Sequence, residues 1–137
     1  MLIAAMILGL IGGITYFVGG CTGIVSWPDT ISETAPWWMI MVTAIGAAGA
    51  MGAAMARTKP TTAGIVMLFA AAVALGVGIA SFNAYDGYVA DGTLPSDIHL
   101  PVHPFAGYVL YLPVPLLTLI IGGVLALSSG KKTGAED

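Results

Sequence analysis

The fold class this sequence predicts is an all-α membrane protein: four transmembrane helices in two antiparallel hairpins, with both termini cytoplasmic (N-in/C-in). Three observations predict it. The chain is 58% hydrophobic and only 8% charged, against roughly 25% charged in soluble domains. Seven acids and four bases cannot cover the surface of a 13.9 kDa globule in water. Next, residues 1–28, 34–56, 60–85 and 98–130 contain no Asp, Glu, Lys or Arg, and each window exceeds the ~20 residues a helix needs to cross ~30 Å of hydrocarbon. Last, the charges separate by sign. The bases are Arg57, Lys59, Lys131 and Lys132, whereas the other two connectors hold Asp29, Glu33, Asp86, Asp91 and Asp97 with no base. Positively charged connectors stay cytoplasmic, which places both termini and the turn at 57–60 inside, and residues 21–36 and 82–104 outside.

The elements follow in order. Helix 1 is expected at about 2–20, with no basic residue before it to make a signal-peptide n-region. Val18-Gly19-Gly20-Cys21 also has the loose form of a bacterial lipoprotein box, so lipidation of Cys21 is the alternative to retention as a helix. Gly9 and Gly13 stand four apart on one face, where another backbone can approach closely. Helix 2 is expected at about 37–56 with Pro36 in its first turn. Trp27, Trp37 and Trp38 bracket the connector before it, where indoles settle at the headgroup level. The second half of helix 2, with Gly46 and Gly49 among alanines, has almost no side-chain bulk and is expected to pack against another helix.

Helix 3 is expected at about 61–81 behind Pro60, and Ala72, Gly76 and Ala80 offer a second smooth face four residues apart. Helices 2 and 3, joined by a tight turn, are therefore expected to form an antiparallel pair in close backbone contact. Helix 4 is expected at about 105–128. Counted from Phe105 at ~1.5 Å per residue, Pro113 and Pro115 fall roughly 12 and 15 Å along it, near the bilayer midplane. Each removes a backbone donor, which predicts a kink; breaks at this depth also form substrate sites in some transporters. Residues 1–130 thus read as one transmembrane domain and 131–137 as a cytoplasmic tail.

The spans hold no Asp, Glu, Lys, Arg or His away from their outer ends. Intramembrane ionisable groups usually mark function, so their absence argues against a proton-coupled transporter, a voltage sensor or a haem held between facing histidines. Thr15, Tyr16, Thr43 and Thr118 are the notable polar side chains inside, and hydroxyls can bond back to their own helix. One Cys excludes an internal disulfide, and no phosphate loop or nucleophile elbow occurs. No basic run suggests nucleic acid, and no polybasic juxtamembrane cluster of the anionic-lipid type appears. The one candidate metal set is Asp97, His99 and His103, an oxygen/nitrogen group suited to Zn²⁺ or Cu²⁺. Pro101 between the histidines opposes the shared helix face that would bring both rings together, so interfacial residues bonded to backbone or water are the alternative.

The Gly-rich first helix, the Lys59-Pro60 turn into helix 3, and the Gly122-Gly123-Val124-Leu125-Ala126-Leu127 end of helix 4 before a basic tail resemble the small bacterial four-span membrane proteins of unknown function. The resemblance implies this fold and supplies no activity and no site residues.

The expected function is a non-catalytic accessory or assembly subunit of a bacterial or archaeal plasma (inner) membrane, without a cofactor. Its expected partners are the lipid bilayer and either other membrane proteins or further copies of itself. The alternatives are a small homo-oligomeric channel or transporter using the Pro113/Pro115 break, and an outward-facing binder of metal or a small ligand.

Overall fold

The computed structural model describes residues 1–25, 37–90 and 113–133, with side chains for 1–25, 37–80 and 114–132. These residues form four α-helices: α1 (Leu2–Val25), α2 (Trp37–Met55), α3 (Pro60–Ala90) and α4 (Pro113–Thr133). All four are long and apolar enough to cross a membrane, the pattern of a multi-pass membrane protein; the qualifying stretches of α3 and α4 are Pro60–Ala80 and Val114–Lys132.

Helix ends depart from the sequence reading wherever packing or capping outweighs local propensity. α1 runs past the glycines at 19 and 20 to Val25. The two adjacent glycines cost only about 1 kcal/mol each against alanine, and Gly20 is seated against Met39 and Thr43 of α2, so packing offsets that cost. α2 ends where expected. There the Met55 carbonyl accepts from Thr58 N (3.1 Å), Lys59 N (2.8 Å) and Thr58 Oγ1 (3.3 Å), which satisfies an end otherwise short of donors. Lys59 then begins the next helix, its carbonyl accepting from Ala63 N at 2.9 Å. Pro60 takes the first helical position, where a missing N–H breaks nothing.

α3 is 31 residues long and continues beyond Ser81, about 46 Å at ~1.5 Å per residue. Described α4 begins at Pro113 and ends at Thr133; residues 105–112, where its first turns were expected, lie outside the described residues. Its C-terminal end draws Lys131 and Lys132 from the expected tail into the last helical turn, where cations meet the negative end of the helix dipole.

Each helix has two principal neighbours: α1 packs on α2 and α4, and α3 packs on the same two. Contacts along α1 fix the order. Gly9 meets Ala53, Gly13 meets Ala50 and Gly46, and Gly20 meets Thr43 and Met39, so numbers on α2 fall as those on α1 rise. The same inversion relates α3 to α4, with Gly64 beside Leu127 and Gly130 beside Thr61.

Bulk is distributed inside out. The interior is built largely from Ala5, Ala53, Ala63, Ala70, Ala71, Ala74 and Ala126 with buried glycines, and Trp38, Met39, Met67 and Leu119 supply its large side chains. Ile7, Ile11, Ile14 and Phe17 of α1, Phe69 of α3 and Ile121 of α4 point outward. Lipid tails are as apolar as leucine, so burying a large side chain gains little over leaving it in lipid. Close backbone approach gains van der Waals contact.

Candidate functional site

The predicted packing residues divide into two groups. Gly9, Gly13, Gly46 and Gly49 are all buried. A Cβ on Gly9 would collide with Met67 Sδ and would lie 2.8 Å from Ala53 Cβ, so Gly9 meets both α2 and α3. Gly49 faces Leu119 of α4, whose Cδ2 would be 2.9 Å from an added Cβ. Glycines that the sequence did not single out complete the interior. A Cβ added to Gly12 would lie 2.7 Å from Pro115 O and 2.6 Å from Thr118 Oγ1, and one added to Gly64 would lie 2.8 Å from Gly123 O.

Ala72 and Gly76 are placed differently. Both are exposed, and a Cβ on Gly76 would meet nothing within 4 Å. Within the chain α3 packs through Ala63, Met67, Ala70, Ala71, Ala74 and Val77 instead. The stripe at 72, 76 and 80 points away from the other three helices, flanked by Phe69 (71% exposed) and Ile79 (60%).

Three of the four intramembrane polar side chains behave as hydroxyls on a helix do. Thr15 donates to Ile11 O (2.6 Å), Thr43 to Met39 O (2.9 Å) and Thr118 to Pro115 O (2.9 Å). Tyr16 does not: it is 4% exposed, and its hydroxyl has no hydrogen-bond partner among the described residues. A phenol is too long to fold back on its own preceding carbonyls, the one signal in the sequence that sets it apart from the threonines. Trp37 and Trp38, read alike as interfacial anchors, also differ. Trp37 is half exposed, whereas Trp38 is 1% exposed and meets Trp37 edge-on, ring centroids 5.9 Å apart. Cys21 is a partly buried free thiol.

Pro113 and Pro115 both lie in the first turn of the described α4. The expected kink depends on the residues before Pro113, which lie outside the described residues. Pro115 is fully buried. The candidate metal residues Asp97, His99 and His103 lie outside the described residues, as does Trp27. Among the described residues no group of three His, Cys, Asp or Glu side chains comes together.

What the described bundle offers chemically is therefore shape and charge: a tightly closed interior, one smooth outward stripe on α3, and four exposed cations at the end where α2 turns into α3 and α4 ends. No family model, curated protein or solved structure matches this chain.

Proposed function

We propose that this protein is an accessory or assembly subunit of a membrane complex, without catalytic activity of its own. It would sit as two hairpins with both termini cytoplasmic in a bacterial or archaeal plasma membrane. The observation that carries the reading is the outward stripe of α3. Ala72 and Gly76 are exposed with open space around Gly76, although small residues are in demand for the interior. Against lipid such a stripe fills space poorly; against another helix it permits backbone contact. The apolar spans, which carry no ionisable groups to move ions or protons, favour a structural role.

The test is extraction of the tagged chain from its native host in mild detergent, followed by the mass and composition of the particle. A stoichiometric second chain supports the reading. A homo-oligomer or a bare monomer overturns it.

A further inference from the structure

The four basic side chains occupy two segments far apart in sequence, and the fold brings these together. Gly130 lies directly before Lys131 and Lys132, and its backbone abuts the start of α3. A Cβ there would stand 2.7 Å from Thr61 Oγ1, 3.3 Å from Thr61 N and 3.4 Å from Pro60 Cγ. Pro60 directly follows Lys59, so Lys59 and Lys131 leave adjoining stretches of backbone, and Arg57 sits in the turn just before. All four are exposed. Two pairs that look unremarkable in the linear sequence make one cluster of four.

That cluster has little to neutralise it among the described residues. Asp86 is the only acid among the described residues and belongs to the far part of α3. Glu136 and Asp137, which follow Lys132 in the sequence, lie outside the described residues. Converging like charges repel, and an external anion relieves that repulsion. The first-turn N–H groups of α3 add positive potential beside Lys59, and the end of α4 subtracts some beside Lys131 and Lys132.

Position selects the anion. The apolar stretch of α3 begins at Pro60 and that of α4 ends at Lys132, so the cations stand where hydrocarbon gives way to headgroups. Immediately deeper, Ile65 (58% exposed) and Val124 (51%) provide outward apolar surface for acyl chains. We propose that this end of the α3–α4 pair binds the phosphate headgroup of an anionic phospholipid. The site is formed jointly by Lys59 with Arg57 and by Lys131 with Lys132. The inference rests on the membrane reading of the chain and is independent of any partner subunit.

The experiment uses the full chain reconstituted in phosphatidylcholine vesicles, with spin-labelled phosphatidylglycerol or phosphatidylcholine as probe. The readout is the relative association constant of the motionally restricted lipid. The wild type is expected to prefer phosphatidylglycerol. Lys59→Gln alone and Lys131→Gln/Lys132→Gln together should each reduce that preference, by up to about fivefold per cation removed, whereas Lys59→Arg and Lys131→Arg/Lys132→Arg should keep it. Circular dichroism confirms that each variant retains its helices. No preference in the wild type overturns the proposal, as does sensitivity to one segment only. Loss of the preference on adding inorganic phosphate at the same ionic strength would assign the site to free phosphate instead of lipid, which also overturns it. Flotation separates the two readings: a chain that fails to float with vesicles sinks the membrane reading, and one that floats without lipid preference sinks this proposal alone.

Discussion

Gly13 of α1 and Gly46 of α2 face each other with no room for a side chain on either. A Cβ on Gly13 would lie 2.9 Å from the Gly46 carbonyl oxygen, and one on Gly46 would lie 2.7 Å from that of Gly13. The obstacle is backbone on both sides, which cannot swing away as a side-chain tip can. Each added atom must therefore push the two helices apart along their length.

Gly13→Ala and Gly46→Ala should accordingly each destabilise the bundle by about 1–3 kcal/mol, the range for overpacking, and isoleucine at either position should do more. Gly19 is the internal control. A Cβ there would meet nothing within 4 Å, so Gly19→Ala should be neutral or stabilising by up to about 1 kcal/mol through helix propensity. Unfolding of the purified protein in mixed micelles with increasing SDS measures all three. Equal effects at positions 13 and 19 would contradict the close α1–α2 contact.

Gly76 separates folding from association. With open space around it, Gly76→Ala should stabilise the isolated chain by up to about 1 kcal/mol, and Gly76→Ile should leave it folded. If the stripe is a docking face, Gly76→Ile should also remove the co-purifying subunit. Retention of that subunit at wild-type stoichiometry would mean that the stripe faces lipid.

Tyr16 holds a hydroxyl in the interior without a partner among the described residues. An unsatisfied buried hydroxyl is disfavoured by about 1–3 kcal/mol, so Tyr16→Phe should be neutral or stabilising within that range. Tyr16→Ala should destabilise by about 3–5 kcal/mol, in line with other large aromatic truncations. A clear loss on Tyr16→Phe would show that the hydroxyl has a partner beyond the described residues. The same SDS titration reads both variants.

Pro113 and Pro115 supply a fourth test. Both stand in the first turn of described α4; if no helical turn precedes it, Pro113→Ala should change stability by less than about 0.5 kcal/mol. Pro115 is fully buried beside Gly12, and Pro115→Ala should destabilise by about 1 kcal/mol through lost packing. A gain in helical content of several residues on Pro113→Ala, seen by circular dichroism, would show instead that the proline terminates a longer helix.

The four spans were legible in the sequence because charge is scarce and falls between them. α2 and the turn at 57–60 were placed within a residue or two, since a short basic turn with Pro60 punctuates both helices. Other ends were less legible. Gly19-Gly20 and Ser81 read as stops, yet α1 and α3 continue beyond them, because glycine and serine weaken a helix without breaking it. The facing of α3 was misplaced for a related reason. Small residues occur all round it, at 70, 71, 72, 74, 76, 78 and 80, so a spacing of four can be drawn on several faces. Met67 crossing to Gly9 is what chooses the inner one. The cluster of cations was invisible for want of one long-range contact, Gly130 against Pro60 and Thr61. The outer segment with Asp97, His99 and His103 lies beyond the described residues.

The inside-out distribution of bulk also reaches into the thermodynamics of the fold. A soluble domain unfolds by wetting its interior, and the resulting large positive heat-capacity change bends its stability curve and permits cold denaturation. Here, pulling the helices apart within a bilayer replaces glycine and alanine contacts by lipid contacts and brings little new apolar surface into water. The stability of this bundle should therefore vary almost linearly with temperature, with no optimum at moderate cold, and cooling should tighten it where it would loosen a water-soluble protein.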